Sequence, residues 1–179
     1  MNLKRFFAVA GLVGMMSLNA FAADTTVTLS DVHLCCGSCV KGVDTALKDV
    51  TGVKAVADQS AKTVVITASD KESAQKAVNA LVLAGYFGKS SDSSIKIEDV
   101  TGAKDEKVKT VTVSGVHLCC AKCVTAVKDV LSKVDGVQAN TVAAKATSFT
   151  VTGDFNAKQL FEALNNAGLA GKVVPATMN

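Results

Sequence analysis

The segment Val32-His33-Leu34-Cys35-Cys36-Gly37-Ser38-Cys39-Val40 recurs eighty-four positions later as Val116-His117-Leu118-Cys119-Cys120-Ala121-Lys122-Cys123-Val124. These two copies hold all six cysteines and both histidines of the chain. Thiolate and imidazole are ligands for soft and borderline cations, not for Mg or Ca. Two matching clusters of them are most simply read as two equivalent metal sites.

Each cluster sits where an extended segment passes into a helix. Val40, Val43, Leu47 and Val50 fall at helical spacing, as do Val124, Val127, Leu131 and Val134. Cys36 and Cys120 then lie in the loop before the helix, and Cys39 and Cys123 in its first turn. The unpaired N–H groups and partial positive charge there favour thiolate, the species that binds metal. If Leu34 points inward along the extended segment, His33 and Cys35 point outward, toward the loop opening.

The flanking sequence repeats as well. Residues 25–98 and 110–175 align, matching at Val27/Val111, Val43/Val127, Leu47/Leu131, Val50/Val134, Gly52/Gly136 and Val53/Val137. Shared positions are mainly apolar or Gly and differing ones mainly polar, the pattern of one core with drifting surfaces. Residues 99–109 (DVTGAKDEKVK) are polar and charged and read as a linker.

Within each copy a strand comes first, and the apolar phase slips after Leu29 and after Val113. Gly115 at the second slip suggests a bulge. The helix follows, then strands at Val53 to Asp58 and Thr63 to Ala68, or Val137 to Ala143 and Ser148 to Thr152. A second helix opens on an expected Ser69-x-x-Glu72 capping box. Its counterpart carries Leu160, Phe161 and Leu164. Last strands are expected at Ile95 and Ile97 and at Lys172 to Val174. The order is βαββαβ, so the fold class expected is α+β, two tandem ferredoxin-like sandwiches.

Residues 1–22 read as a cleaved signal peptide: Lys4 and Arg5, an apolar run from Phe6 to Met16, and Ala20-Phe21-Ala22 as the cleavage site. The run is short for a membrane span, so no membrane insertion of the mature form is expected. Localisation is then periplasmic or secreted. Removing Lys4 and Arg5 from 19 basic residues leaves 17 against 16 acidic. That balance argues against nucleic acid as a partner. Exported cysteines usually pair as disulfides, yet each copy has an odd three. A Cys35–Cys36 bond would be strained, and a Cys36–Cys39 bond would close a tiny loop. A ligand or redox role fits the counts better.

Taken whole, each copy resembles the heavy-metal-associated domain, the family of copper chaperones, N-terminal modules of metal-exporting P-type ATPases and the periplasmic mercury-binding protein. The family loop reads Gly-Met-x-Cys-x-x-Cys. On this sequence Cys36 and Cys39, and Cys120 and Cys123, take its two ligand positions. The resemblance implies two-thiolate binding of a soft ion and its transfer by ligand exchange, with a metal-donor or acceptor protein as partner. Both copies depart from the family alike: His33/His117 replace Gly, Leu34/Leu118 replace Met, and Cys35/Cys119 fill the variable position. Leu keeps the apolar plug under the loop. The extra Cys35, Cys119, His33 and His117 enlarge the ligand set. Cys₃His suits tetrahedral Zn(II), and three sulfurs suit trigonal Cu(I) or a heavier soft ion.

The reading is therefore a non-enzymatic exported protein that binds about one soft ion per domain, Cu(I) or Zn(II), for buffering, delivery or resistance. Thiol–disulfide exchange through the same C-x-x-C pairs is the alternative, although the thioredoxin element order is absent. A domain kept only for its shape is the third reading. Tyr86-Phe87 could pack near the loop or fill the core, and Met178 is read as tail.

Overall fold

A computed structural model describes residues 24–174. The expected signal segment and Met178 lie outside the described residues. Two βαββαβ units follow one another. The first runs β1 (Thr25–Ser30), α1 (Gly37–Leu47), β2 (Val53–Asp58), β3 (Thr63–Ala68), α2 (Lys71–Leu83) and β4 (Lys89–Ser90). The second runs β5 (Lys107–Ser114), α3 (Ala121–Leu131), β6 (Val137–Asn140), β7 (Ser148–Asn156), α4 (Ala157–Asn166) and β8 (Lys172–Val173). The sheets have the orders β2-β3-β1-β4 and β6-β7-β5-β8, with every pairing antiparallel. Both domains are thus ferredoxin-like α+β sandwiches. No helix among the described residues is long and apolar enough to cross a membrane.

Strand alternation builds the core. Val27 and Leu29 of β1, with Val64 and Ile66 of β3, turn one sheet face onto Val43 and Leu47 of α1 and Ala74, Val78 and Leu81 of α2, all buried. Val113, Phe149 and Val151 do the same against Val127, Leu131, Leu160 and Leu164 in the second domain. Only the helix-covered face is closed, so the other face keeps Thr26, Thr28 and Thr67 exposed or half-buried.

Several boundaries differ from the sequence expectation. The apolar slip after β1 and β5 is no bulge. Each strand ends, and one left-handed residue, Asp31 (φ 60°) or Gly115 (φ 78°), turns the chain toward the cysteines. The cap of α2 is Asp70, whose carboxylate accepts from the Ser73 N–H at 2.7 Å and from the Ser69 hydroxyl at 2.9 Å. A carboxylate is the stronger acceptor, so Ser69 is left to support it. The last strand of the first domain is Lys89–Ser90, paired with Leu29 and Ser30. Ile95 is buried outside any strand, below a turn in which Asp92 accepts from the Ser94 N–H. Gly153 does not end β7. It lets the strand bend and continue to Asn156, which caps α4 by accepting from the Gln159 N–H.

β5 begins inside the segment read as a linker, and the rest of that segment lies along the second domain. The Thr101 carbonyl accepts from the Val173 N–H at 2.8 Å, and Asn156 donates to Asp105 at 2.7 Å.

The domains dock through backbone at the end of each second helix. Tyr86 and Leu169 form an antiparallel bridge. The Gly168 carbonyl accepts from the His33 and Phe87 N–H groups, and the Gly85 carbonyl accepts from the Ala170 N–H at 3.0 Å. Gly85 (φ 93°) and Gly168 (φ 79°) hold equivalent positions. A Cβ on Gly85 would run into the Val116–His117 backbone, and one on Gly168 into Asp31–His33. The contacts are related as by a two-fold axis. Gly168→Ala should therefore cost roughly 1–2 kcal/mol from the left-handed backbone alone and push the domains apart. Small-angle scattering should show a larger radius of gyration than wild type; an unchanged profile would contradict this docking.

Candidate metal centre

Docking brings the two cysteine motifs together. Cys36 caps α1 and Cys120 caps α3, both in extended backbone and neither using its side chain as a cap. That leaves both sulfurs free to face the opposite motif. Cys39 and Cys123, in the first turns, are fully buried. Leu34 and Leu118 are buried beneath the loops as the expected plugs. The hairpin turns tie the loops down. Gln59 donates to the Cys35 carbonyl, and the Lys145 N–H donates to the Leu118 carbonyl at 2.6 Å.

The six sulfurs form a trigonal prism. One triangle is Cys36, Cys39 and Cys119, with edges of 3.8, 3.6 and 3.7 Å. The other is Cys120, Cys123 and Cys35, with edges of 3.9, 3.4 and 3.8 Å. The uprights are Cys35–Cys39 at 3.6 Å, Cys36–Cys120 at 3.8 Å and Cys119–Cys123 at 3.6 Å. All six cysteines are free thiols. Three sulfurs each about 2.3 Å from one ion would stand about 4 Å apart, and four about 3.8 Å apart. The spacing of the prism therefore fits metal ligation. A disulfide needs about 2 Å.

The thiols titrate as one body. The hydrogen bond from Cys123 lowers Cys39 to about 2 against the opposing effect of burial, with His117 helping. Cys123, its repeat partner, moves the opposite way, first because it donates to Cys39 and then because it is buried. Whichever of the two ionises first takes hydrogen bonds from the other thiols and holds them protonated. Burial pushes Cys35 up to about 12 and raises Cys119 likewise. The Cys123 backbone N–H lowers Cys120 to about 6, as a helix N-terminus should.

The histidines are not equivalent. Tyr86, 1 % exposed, donates its hydroxyl to the Cys39 carbonyl at 2.8 Å and lies 3.2 Å from His117 Nε2, their rings 4.7 Å apart. Because that hydroxyl proton is spent on Cys39, His117 Nε2 must be the donor in this contact. Gly42 leaves the room, since a Cβ there would overlap both Tyr86 and His117. The other half of the repeat has Leu169 and Ala126 at these positions. His33 Nε2 is accordingly buried with no hydrogen-bond partner. One ring nitrogen of His33 lies within 4.8 Å of the Cys35 and Cys123 sulfurs. Burial lowers its pKa, which keeps the imidazole neutral and able to ligate.

Every expected site residue thus gathers at one place. Tyr86 both fills the core and orders the loop. Its hydroxyl contact was not readable from sequence, because it depends on docking with the other domain. The pairing Tyr86/Gly42 against Leu169/Ala126 was the available signal.

Residues 110–169 match the sequence profile of the heavy-metal-associated domain. Similar solved structures include oxidized MerP from Ralstonia metallidurans CH34, 32% identical over 37% of this chain and 97% of that one, with TM-score 0.35. A copper-binding domain from HMA7, a P-type ATPase, is 24% identical over 38% and 96%, with TM-score 0.35. The N-terminal soluble domains of Bacillus subtilis CopA are 17% identical over 88% and 99%, with TM-score 0.32. No curated protein sequence gives a significant match.

The docked geometry predicts the products of mild oxidation of the metal-free protein. Disulfides joining residues 24–98 to residues 110–174 should appear in peptide mapping under non-reducing conditions. Bonds confined to Cys36–Cys39 and Cys120–Cys123 would contradict it.

With the repeated motif, the shared βαββαβ order and the profile match to the second copy, the chain belongs to the heavy-metal-associated domain family.

Proposed function

We propose that this chain is an exported, non-enzymatic protein that binds soft metal ions for buffering, delivery or resistance. Cys36, Cys39, Cys120 and Cys123 are the core ligands, and Cys35 and Cys119 add to them. The observation that carries the reading is the prism of six free sulfurs at ligand spacing. Trios of sulfurs favour Cu(I), which accepts three soft ligands, over Zn(II), which in structural sites takes four. The copper-binding domain of HMA7 is in keeping with that choice. About two ions per chain are expected. The acceptor is a protein able to exchange thiolate ligands with the site.

His33 is the nitrogen ligand in this reading, because it offers a ring nitrogen within 4.8 Å of two sulfurs and has a buried Nε2 without a hydrogen-bond partner. His117 keeps its Tyr86 contact. Reduced protein titrated anaerobically with Cu(I) should take up about two ions per chain, and replacing all six cysteines with serine should abolish uptake. An unaltered wild-type chain that ignores Cu(I), Zn(II) and Hg(II) would defeat the proposal. Turnover in an insulin-reduction assay would favour thiol exchange instead. Nitrogen NMR of the loaded protein should show a coordination shift at His33 and none at His117 Nε2. Equal shifts would contradict the assignment.

The raised thiols set the pH dependence. Cys35, Cys119 and one of the coupled pair Cys39 and Cys123 hold their protons at neutral pH, so an ion that binds them must release protons. Apparent Cu(I) affinity should therefore rise between about pH 6 and pH 8. A flat profile in a competition titration would contradict coordination by these three sulfurs.

A further inference from the structure

We propose that each ion is held across the domain boundary: the C-x-x-C pair of one domain supplies two thiolates and the extra cysteine of the other domain supplies the third. This rests on the metal-binding reading above and adds to it the origin of the third ligand. Cys36 and Cys39 belong to the first domain, and the sulfur that closes their triangle is Cys119 of the second, at 3.7 and 3.6 Å. Cys120 and Cys123 belong to the second domain, and Cys35 of the first closes theirs, at 3.8 and 3.4 Å. The two triangles exchange under the same two-fold relation that pairs Gly85 with Gly168.

The within-motif alternative is less complete. Cys35 and Cys36 are neighbours in an extended segment, and their sulfurs come within 4.8 Å of each other without making the closer contacts of the prism. Cys35 touches Cys39 at 3.6 Å, but no such contact joins it to Cys36. Within each motif the three sulfurs gather only within a looser 4.8 Å, whereas each crossed triangle closes within 3.9 Å. Three thiolates so close repel one another unless a cation or protons lie among them. The extra cysteine therefore has a reason to be present in both motifs. It closes a tighter triangle with the other domain's pair than with its own. An ion in either triangle also bonds to both domains and so holds them together.

The test places one triangle under study in the full-length chain. In a Cys120→Ser, Cys123→Ser background, the reduced protein should bind one Cu(I) through Cys36, Cys39 and Cys119. Adding Cys119→Ser should weaken that ion at least roughly tenfold in competition with a chelator, the loss that even an outer-shell partner of a metal ligand can cause. Adding Cys35→Ser instead should leave it within about twofold. The two added changes are the same chemistry at equivalent positions, so a general loss of folding would affect both, and circular dichroism reports it. Binding that depends on Cys35 and not on Cys119, or on neither, overturns the crossed arrangement while leaving the proposed function intact. A wild-type chain that binds no Cu(I) removes both.

Discussion

The backbone docking at Gly85 and Gly168 is the constraint on which the rest of the structure depends. Each glycine adopts a left-handed conformation and presses its Cα against the loop that leads into the other domain's cysteines. No residue with a Cβ allows that approach. The Gly168 carbonyl takes up the His33 N–H of the other domain's motif loop, and the Gly85 carbonyl takes up the Ala170 N–H. The loop carrying each motif is therefore positioned by the other domain as well as by its own sheet. Two small sandwiches, each closed on one face only, in this way produce one centre.

The centre is soft and concentrated. Six sulfurs lie in mutual contact beside two helix N-termini, and the hydrogen bonds among the thiols pull their acidities apart. Such a cluster cannot be fully ionised without cations. It favours ions that tolerate several thiolates at short range, and it resists hard ions that require oxygen. The asymmetry between the histidines follows from one substitution pair. Tyr86 with Gly42 occupies His117, whereas Leu169 with Ala126 leaves His33 Nε2 without a partner.

Much of this was legible in the chain itself. Apolar spacing gave both first helices and the β2–β3 hairpin with its bounds, because those elements bury one regular face. Misplaced features were those decided by competition or by tertiary contact. Asp70 outcompeted the Ser69 cap, Lys89–Ser90 rather than Ile95 reached the β1 edge, and Gly153 bent β7 where a strand end was expected. The cysteines and histidines were recognisable as ligands from their types and repetition. Their meeting in one prism was not, since it depends on two glycines whose role appears only when the domains are brought together. The repeat contained one hint, an odd cysteine in each motif with no evident partner of its own.

X-ray absorption at the copper edge of the anaerobically loaded, unaltered chain tests the central claim most directly. Coordination by three sulfurs per copper, with a minor nitrogen contribution, is what the prism and His33 predict. A shell dominated by oxygen or nitrogen, with the sulfurs outside it, would contradict the account.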